Sequence, residues 1–166
     1  LIMANEVASV EATRSHNAKS HHIKDDILKI AHQELYEDHA FILAYRNALL
    51  MRLEPKKETH FKNFMRVLSD DGQKIEKTAL RDLFVIASNY CIRCIKDGTG
   101  TGYQETLLDI YDEMERQKVL RNKNGTLPYS ELKNMVTIAL QLRETGRAKT
   151  ILKERAKMVH ADARDY

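Results

Sequence analysis

Tryptophan is absent from this 166-residue chain, proline and cysteine occur only twice each, and glycine occurs six times. So few turn-forming residues exclude the β-sandwiches and barrels that need a tight turn after every short strand, and they exclude collagen-like and disordered compositions. Two cysteines cannot build a disulfide scaffold, so a reducing cytoplasm is the simplest expected home. No run approaches the roughly 18 apolar residues that a membrane span needs. The opening LIMANEVASV has neither a basic leader nor a long apolar core, and reads as a fragment or processed chain without a secretion signal. A strong charge of one sign is also missing: 27 basic against 24 acidic residues leave +3, too balanced to announce nucleic acid or an anionic membrane.

What the chain does have is 43% hydrophobic and 31% charged residues, the balance of a helix-rich protein. Its length suits one domain able to bury most of its apolar surface. The expected organisation is a flexible segment over 1–16 and a single helical domain over 17–166. Apolar residues recur at helical rather than alternating spacing almost throughout, which predicts an all-α fold of six to seven helices. A helix over about 21–35 places Ile23, Ile27, Ile30 and Ala31 on one face. The next, about 38–53, carries Phe41, Ile42, Tyr45, Ala48, Leu49 and Leu53, and ends before Pro55 because a residue preceding proline avoids helical angles. A third, about 56–69, buries Phe61, Phe64, Met65 and Leu68, with Gly72 expected as its left-handed stop.

The helix over about 75–96 contains LRDLFVIASNYCIRCI, apolar around much of its circumference from Leu83 to Ile95, and is expected to be covered on several sides. The helix over about 102–118 turns Tyr103, Leu107, Ile110, Tyr111 and Met114 inward, with acids early and Arg116 and Lys118 late, as the helix dipole favours. A helix over about 128–144 opens at Pro128 and is expected to stop at Gly146. The last, about 147–159, has Ala148, Ile151, Leu152 and Val159 on its apolar side. Joints this short force antiparallel neighbours.

Four local patterns invite a chemical reading. The glycines at 98, 100 and 102 in IKDGTGTGY follow a helix rather than a strand, and no Lys-Ser or Lys-Thr comes after them, so they do not form a phosphate loop. They read instead as a connector in which Gly98 ends one helix, and Thr101 with Gln104 forms the capping box of the next, worth about 1 kcal/mol. Cys91-Ile-Arg-Cys94 has redox or zinc spacing, yet it lies inside the most apolar helix and lacks a second cysteine pair. Buried structural thiols are expected. LRNKNGTLPYSE, residues 120–131, partly matches a calcium loop with Asn122, Asn124 and Glu131 at ligand positions. Leu120 stands where the first carboxylate belongs, so an Asn-Gly turn is the better reading. A basic ridge of Lys133, Arg143, Arg147, Lys149, Lys153, Arg155 and Lys157 would suit RNA or an acidic partner, although charges opposite an apolar stripe are usually just a wet face. No serine elbow or His-Glu-x-x-His pair appears. No cofactor and no metal is expected.

Met135, Ile138, Ala139, Leu142, Ala148 and Ile151 fall at spacings that resemble a tetratricopeptide helical hairpin, and Leu83, Ile86, Ala87 and Tyr90 give a looser second match. The interval between the two is about 51 residues, against a 34-residue tetratricopeptide period. NYCIR at 89–93, LPY at 127–129 and KNMVTIALQL at 133–142 are similar to a family of larger uncharacterised bacterial helical-repeat proteins, over roughly residues 60–158. The resemblance rests on packing residues and brings no catalytic residue. It implies stacked hairpins in a short tetratricopeptide-like superhelix, and a chain that is a piece or shortened relative of a longer solenoid.

The function expected is a non-enzymatic protein-protein interaction module whose partner is another protein or peptide. Candidate contact residues are Asn89, Arg93, Tyr129 and Asn134, on the first helices of the pairs. The alternatives are a basic helical RNA-binding domain and a helical enzyme whose site assembles from scattered residues.

Overall fold

A computed structural model describes residues 39–99, 101–122 and 124–159. The helix expected over 21–35, the segment 1–16 and Gly100 lie outside the described residues. Backbone contacts divide the chain into two compact units, Leu1–Glu76 and Lys77–Tyr166. The described residues form six α-helices, and their only extended pairing is an isolated parallel bridge between Leu127 and Val159. The fold is all-α, as the apolar spacing predicts.

In the first unit, α1 (Ala40–Leu53) packs against α2 (Glu58–Asp71) as a hairpin. α1 stops where expected: Glu54, pinned before Pro55, leaves helical geometry at φ −125° and ψ 62°. Its buried side is built on Ala40, Ala44, Tyr45, Ala48, Leu49 and Met51, whereas Leu53, expected inside, is exposed at the helix end. The one buried amide on α1, Asn47, donates from Nδ2 to the Leu43 carbonyl at 2.8 Å, so its polarity is satisfied locally. α2 buries Phe61, Phe64, Val67 and Leu68 at helical spacing, with Met65 only half-buried. Gly72 does not take the left-handed stop expected of it. It stays right-handed at φ −55° and opens a 3₁₀ turn over Gly72–Lys74, so that Ile75 can be buried next.

The second unit holds α3 (Lys77–Asp97), α4 (Tyr103–Arg116), α5 (Tyr129–Gln141) and α6 (Thr145–Arg155). α3 pairs with α4, α5 pairs with α6, and α4 with α5 joins the two hairpins. Three contacts fix the antiparallel sense. Lys77 Nζ, at the start of α3, donates to the Gln117 carbonyl just past α4 at 2.7 Å. Gln104, near the start of α4, reaches Gln141 at the end of α5 at 3.3 Å. The Leu127 N–H, ahead of α5, meets the Met158 carbonyl beyond α6 at 2.9 Å. Phe84, Leu80, Leu83, Leu107, Leu108, Ile110, Met114 and Met135 are the largest helical side chains sealed in the core, and Leu120 and Leu127 fold in from the α4–α5 connection.

α3 is less enclosed than its sequence implies. Leu80, Leu83, Phe84, Ala87, Cys91 and Cys94 form one buried stripe, while Ile86, Ile92 and Ile95 are half-buried and Val85 is 38% exposed. Apolar residues around much of the circumference mark the helix as central, but only one side of it is fully covered.

Three consecutive helices end in the same way. After α3, the Thr99 N–H bonds the Cys94 carbonyl and the Gly98 N–H bonds the Ile95 carbonyl, with Gly98 left-handed at φ 63°. After α4, Val119 and Lys118 make the equivalent bonds to Met114 and Glu115; after α5, Glu144 and Arg143 make them to Ala139 and Leu140. These are Schellman motifs, in which a left-handed residue turns the chain back onto the orphan carbonyls. Gly98 is in the expected role, but Lys118 (φ 59°) and Arg143 (φ 62°) take it without being glycine. Gly146, the expected stop of α5, instead lies in the first turn of α6.

Two further boundaries differ from expectation. Gly102, left-handed at φ 89°, occupies the N-cap of α4, so Thr101 is one residue too early to form a capping box, and Gln104 points to Gln141 instead. The last helix ends at Arg155; a 3₁₀ turn over Ala156–Met158 then carries Val159 into its bridge, and Leu152 is exposed rather than buried.

Candidate interaction surface

On α3 the residues opposite the buried stripe are Val85, Asn89 and Arg93, each four positions from the last and therefore on one side of the helix. Asn89 and Arg93 are exposed, and the Arg93 guanidinium lies 5.3 Å from the centre of the Tyr90 ring. Tyr90 in turn meets Tyr103 edge-on, with centroids 5.9 Å apart. Ring faces attract cations and ring edges, so the exposed Arg93 rests beside Tyr90, which Tyr103 in turn supports. Burial, followed by the neighbouring Cys94, pushes the Tyr90 hydroxyl up from its ordinary value despite its hydrogen bond to Tyr103.

On α5, Tyr129 and Leu140 are eleven residues apart, about three full turns, and fall on one stripe with Lys133. Tyr129 is 43% and Leu140 52% exposed. Asn134 lies toward the other flank, half-buried, where its Nδ2 donates to the Tyr111 hydroxyl of α4 at 3.2 Å. Burial raises the Tyr111 hydroxyl, with the Glu131 carboxylate and Cys91 adding to the effect and the Asn134 bond opposing it. Of the four candidate contact residues, Asn89, Arg93 and Tyr129 are thus presented outward, and Asn134 has its amide engaged between α4 and α5. Val85, Lys133 and Leu140 join them on the surface. Lys133 was legible as part of the basic ridge, whereas Val85 and Leu140 gave a weak signal, because an isolated exposed apolar residue at helical spacing looks like a core residue until its neighbours are known.

Cys91 and Cys94 are free thiols, both buried. Burial drives the Cys91 thiol up to about 12, with Cys94 beside it raising it further, so it stays protonated near neutrality. The 120–131 segment is an Asn-Gly turn: Gly125 is left-handed at φ 80°, its N–H bonds the Asn122 carbonyl, and the Thr126 hydroxyl donates to Asn124 Oδ1 at 2.6 Å. Asn122 Oδ1 accepts from Arg81 of α3 at 2.8 Å, and Leu120 is buried. The Oδ1 atoms of Asn122 and Asn124 are therefore already engaged, by Arg81 and by Thr126, and Leu120 offers no side-chain oxygen. Among the described residues there is no group of three or more His, Cys, Asp or Glu placed to hold a metal, and no helix long and apolar enough to cross a membrane.

The basic ridge is divided by Asp112 of α4. Arg147 Nη2 donates to Asp112 Oδ2 at 2.8 Å and its Nη1 to Glu144 at 3.3 Å, while Arg155 Nη2 reaches Asp112 Oδ1 at 3.4 Å and its Nη1 contacts Met135 Sδ. Lys133, Arg143, Lys149 and Lys153 are exposed. Compared with known protein families, curated proteins and solved structures, the chain matches none.

Proposed function

We propose that this chain is a non-enzymatic protein-protein interaction module built on tetratricopeptide-like helical hairpins, binding another protein or a peptide and requiring no cofactor. The observation that carries the reading is the pair of outward stripes on the first helices of successive hairpins, Val85–Asn89–Arg93 on α3 and Tyr129–Lys133–Leu140 on α5. Tyrosine, arginine and leucine exposed in this way are the residues that give binding energy when a partner excludes water from them. The ionisable groups support the same reading. Cys91, Tyr90 and Tyr111 are all held toward their neutral forms, the opposite of what an activated nucleophile or base requires. Two buried free thiols suit a reducing compartment, and we place the protein in the cytoplasm on that basis. RNA is the less favoured partner, because Asp112 engages Arg147 and Arg155 and leaves Arg143 as the one exposed arginine of the ridge.

The test is affinity capture with the wild-type chain and with the N89A/R93A/Y129A variant, followed by mass spectrometry. A protein retained by the first and lost by the second, with unchanged thermal melting, supports the reading. Equal retention by both overturns it. Retained material that is RNA and dissociates steeply with added salt also overturns it.

A further inference from the structure

Asn124 is the one asparagine of the chain that is followed by glycine. An asparagine in that position can be attacked by its own backbone, because glycine has no Cβ to keep the next peptide nitrogen away from the side-chain carbonyl carbon. Asn47, Asn63, Asn89 and Asn134 sit inside helices, where the following N–H is held in the helical ladder. Asn124 and Gly125 lie instead on an exposed turn, with Gly125 left-handed at φ 80° and open space where a Cβ would stand.

The fold also prepares the carbon that is attacked. The Thr126 N–H donates to Asn124 Oδ1 at 3.1 Å, and the Thr126 hydroxyl donates to the same oxygen at 2.6 Å. Asn122 Nδ2 donates to the Thr126 oxygen at 3.2 Å, which leaves the hydroxyl proton directed at Asn124. Two donors on one carbonyl oxygen draw electrons from Cγ and stabilise the negative charge that the oxygen takes on during attack. One bond opposes the reaction: the Gly125 N–H donates to the Asn122 carbonyl at 2.9 Å and has to open first, which an exposed turn does readily. We propose that Asn124 is a site of spontaneous deamidation, with the Gly125 nitrogen as nucleophile and Thr126 as the positioning residue that activates the amide. The Gly125 nitrogen gives its proton to hydroxide and bonds to Cγ, the Cγ–Nδ2 bond breaks, and Nδ2 leaves as ammonia with a proton taken from water. Water then opens the resulting succinimide at either carbonyl, leaving an aspartate or an isoaspartate at position 124. The aspartate keeps the turn, since a carboxylate accepts the same two bonds. The isoaspartate routes the backbone through the side-chain methylene and breaks the bond from the Asn122 N–H to the Thr126 carbonyl, 2.8 Å, within the connection from α4 to α5. None of this depends on the interaction-module reading.

The test incubates the full folded chain at neutral and at mildly alkaline pH and follows every asparagine by peptide mass spectrometry, with released ammonia measured alongside. Position 124 is expected to convert first, and faster at the higher pH, in step with hydroxide. T126V should slow the conversion by roughly fivefold, through loss of one hydrogen bond to the developing charge. T126S, which keeps the hydroxyl, should restore the wild-type rate. N124Q should remove the early ammonia release, because its longer side chain closes the ring less readily. Another asparagine converting ahead of Asn124, T126V reacting as fast as the wild type, or T126S reacting as slowly as T126V overturns the proposal.

Discussion

Lys118 and Arg143 close their helices in a conformation that favours glycine, since a Cβ in the left-handed region crowds the following carbonyl. Replacing either by glycine relieves that crowding but makes the unfolded chain more flexible. The net expectation for Lys118→Gly and Arg143→Gly is a gain of about 0.5 kcal/mol each in urea unfolding. Ser88 presents the opposite case. It is buried on α3 and its hydroxyl has no hydrogen-bond partner among the described residues, so the group was removed from water without compensation. Ser88→Ala should raise stability by about 1 kcal/mol, read from the same titration. The Cys91 thiol gives a pH dependence. Its folded pKa is raised to about 12 by burial, so the unfolded chain loses this proton first as pH rises. Stability is therefore intact below about pH 8.5 and declines between there and 12, by up to about 1.4 kcal/mol per pH unit. The raised Tyr90 and Tyr111 hydroxyls act in the same direction. Thermal melts of Cys91→Ala across that window should fall less steeply than those of the wild type.

Helices were legible in the sequence; their ends were less so. The apolar spacing placed all six described helices within a few residues of their observed bounds, and Pro55 marked the end of α1 correctly, because both signals are local. Of the stops read from glycine, Gly98 is left-handed as expected, Gly72 caps α2 but in a right-handed conformation, and Gly146 lies inside α6, since glycine permits the left-handed turn without requiring it. The turns at Lys118 and Arg143 carry no compositional mark at all. They are imposed by burial of Val119 behind α4 and by the short link from α5 to α6. The capping box failed by one residue: with Gly102 at the N-cap, Thr106 donates from its hydroxyl to the Gly102 carbonyl at 3.0 Å, and Thr101 is left exposed. Thr101→Ala is accordingly expected to change stability by less than about 0.5 kcal/mol, as for a surface site with no special contact. A loss near 1 kcal/mol in a melting experiment would restore the cap.

Across the molecule, tertiary partners decide what each residue does. Val85 lies in a span expected to be covered on several sides and is surface, as is Leu140, because nothing in the chain's local pattern says which sides of α3 and α5 acquire neighbours. Asn134 looks like surface and is drawn into a bond with Tyr111. The basic ridge reads as one feature and is split in two by Asp112, a residue with no distinguishing local signal. Asn89, Arg93 and Tyr129, named in the sequence only for their polar or aromatic character on the first helices, lie on the exposed sides of α3 and α5. Whether the outer sides of α3 and α5 touch another macromolecule can be read by site-specific photo-crosslinking in the presence of the captured partner. A benzophenone side chain at Asn89 or Leu140 should yield a crosslinked protein adduct, and one at exposed Asp109 on α4 should not. Adducts at Asp109 alone, with Asn89 and Leu140 silent, would place the contact surface elsewhere and refute the proposed interface.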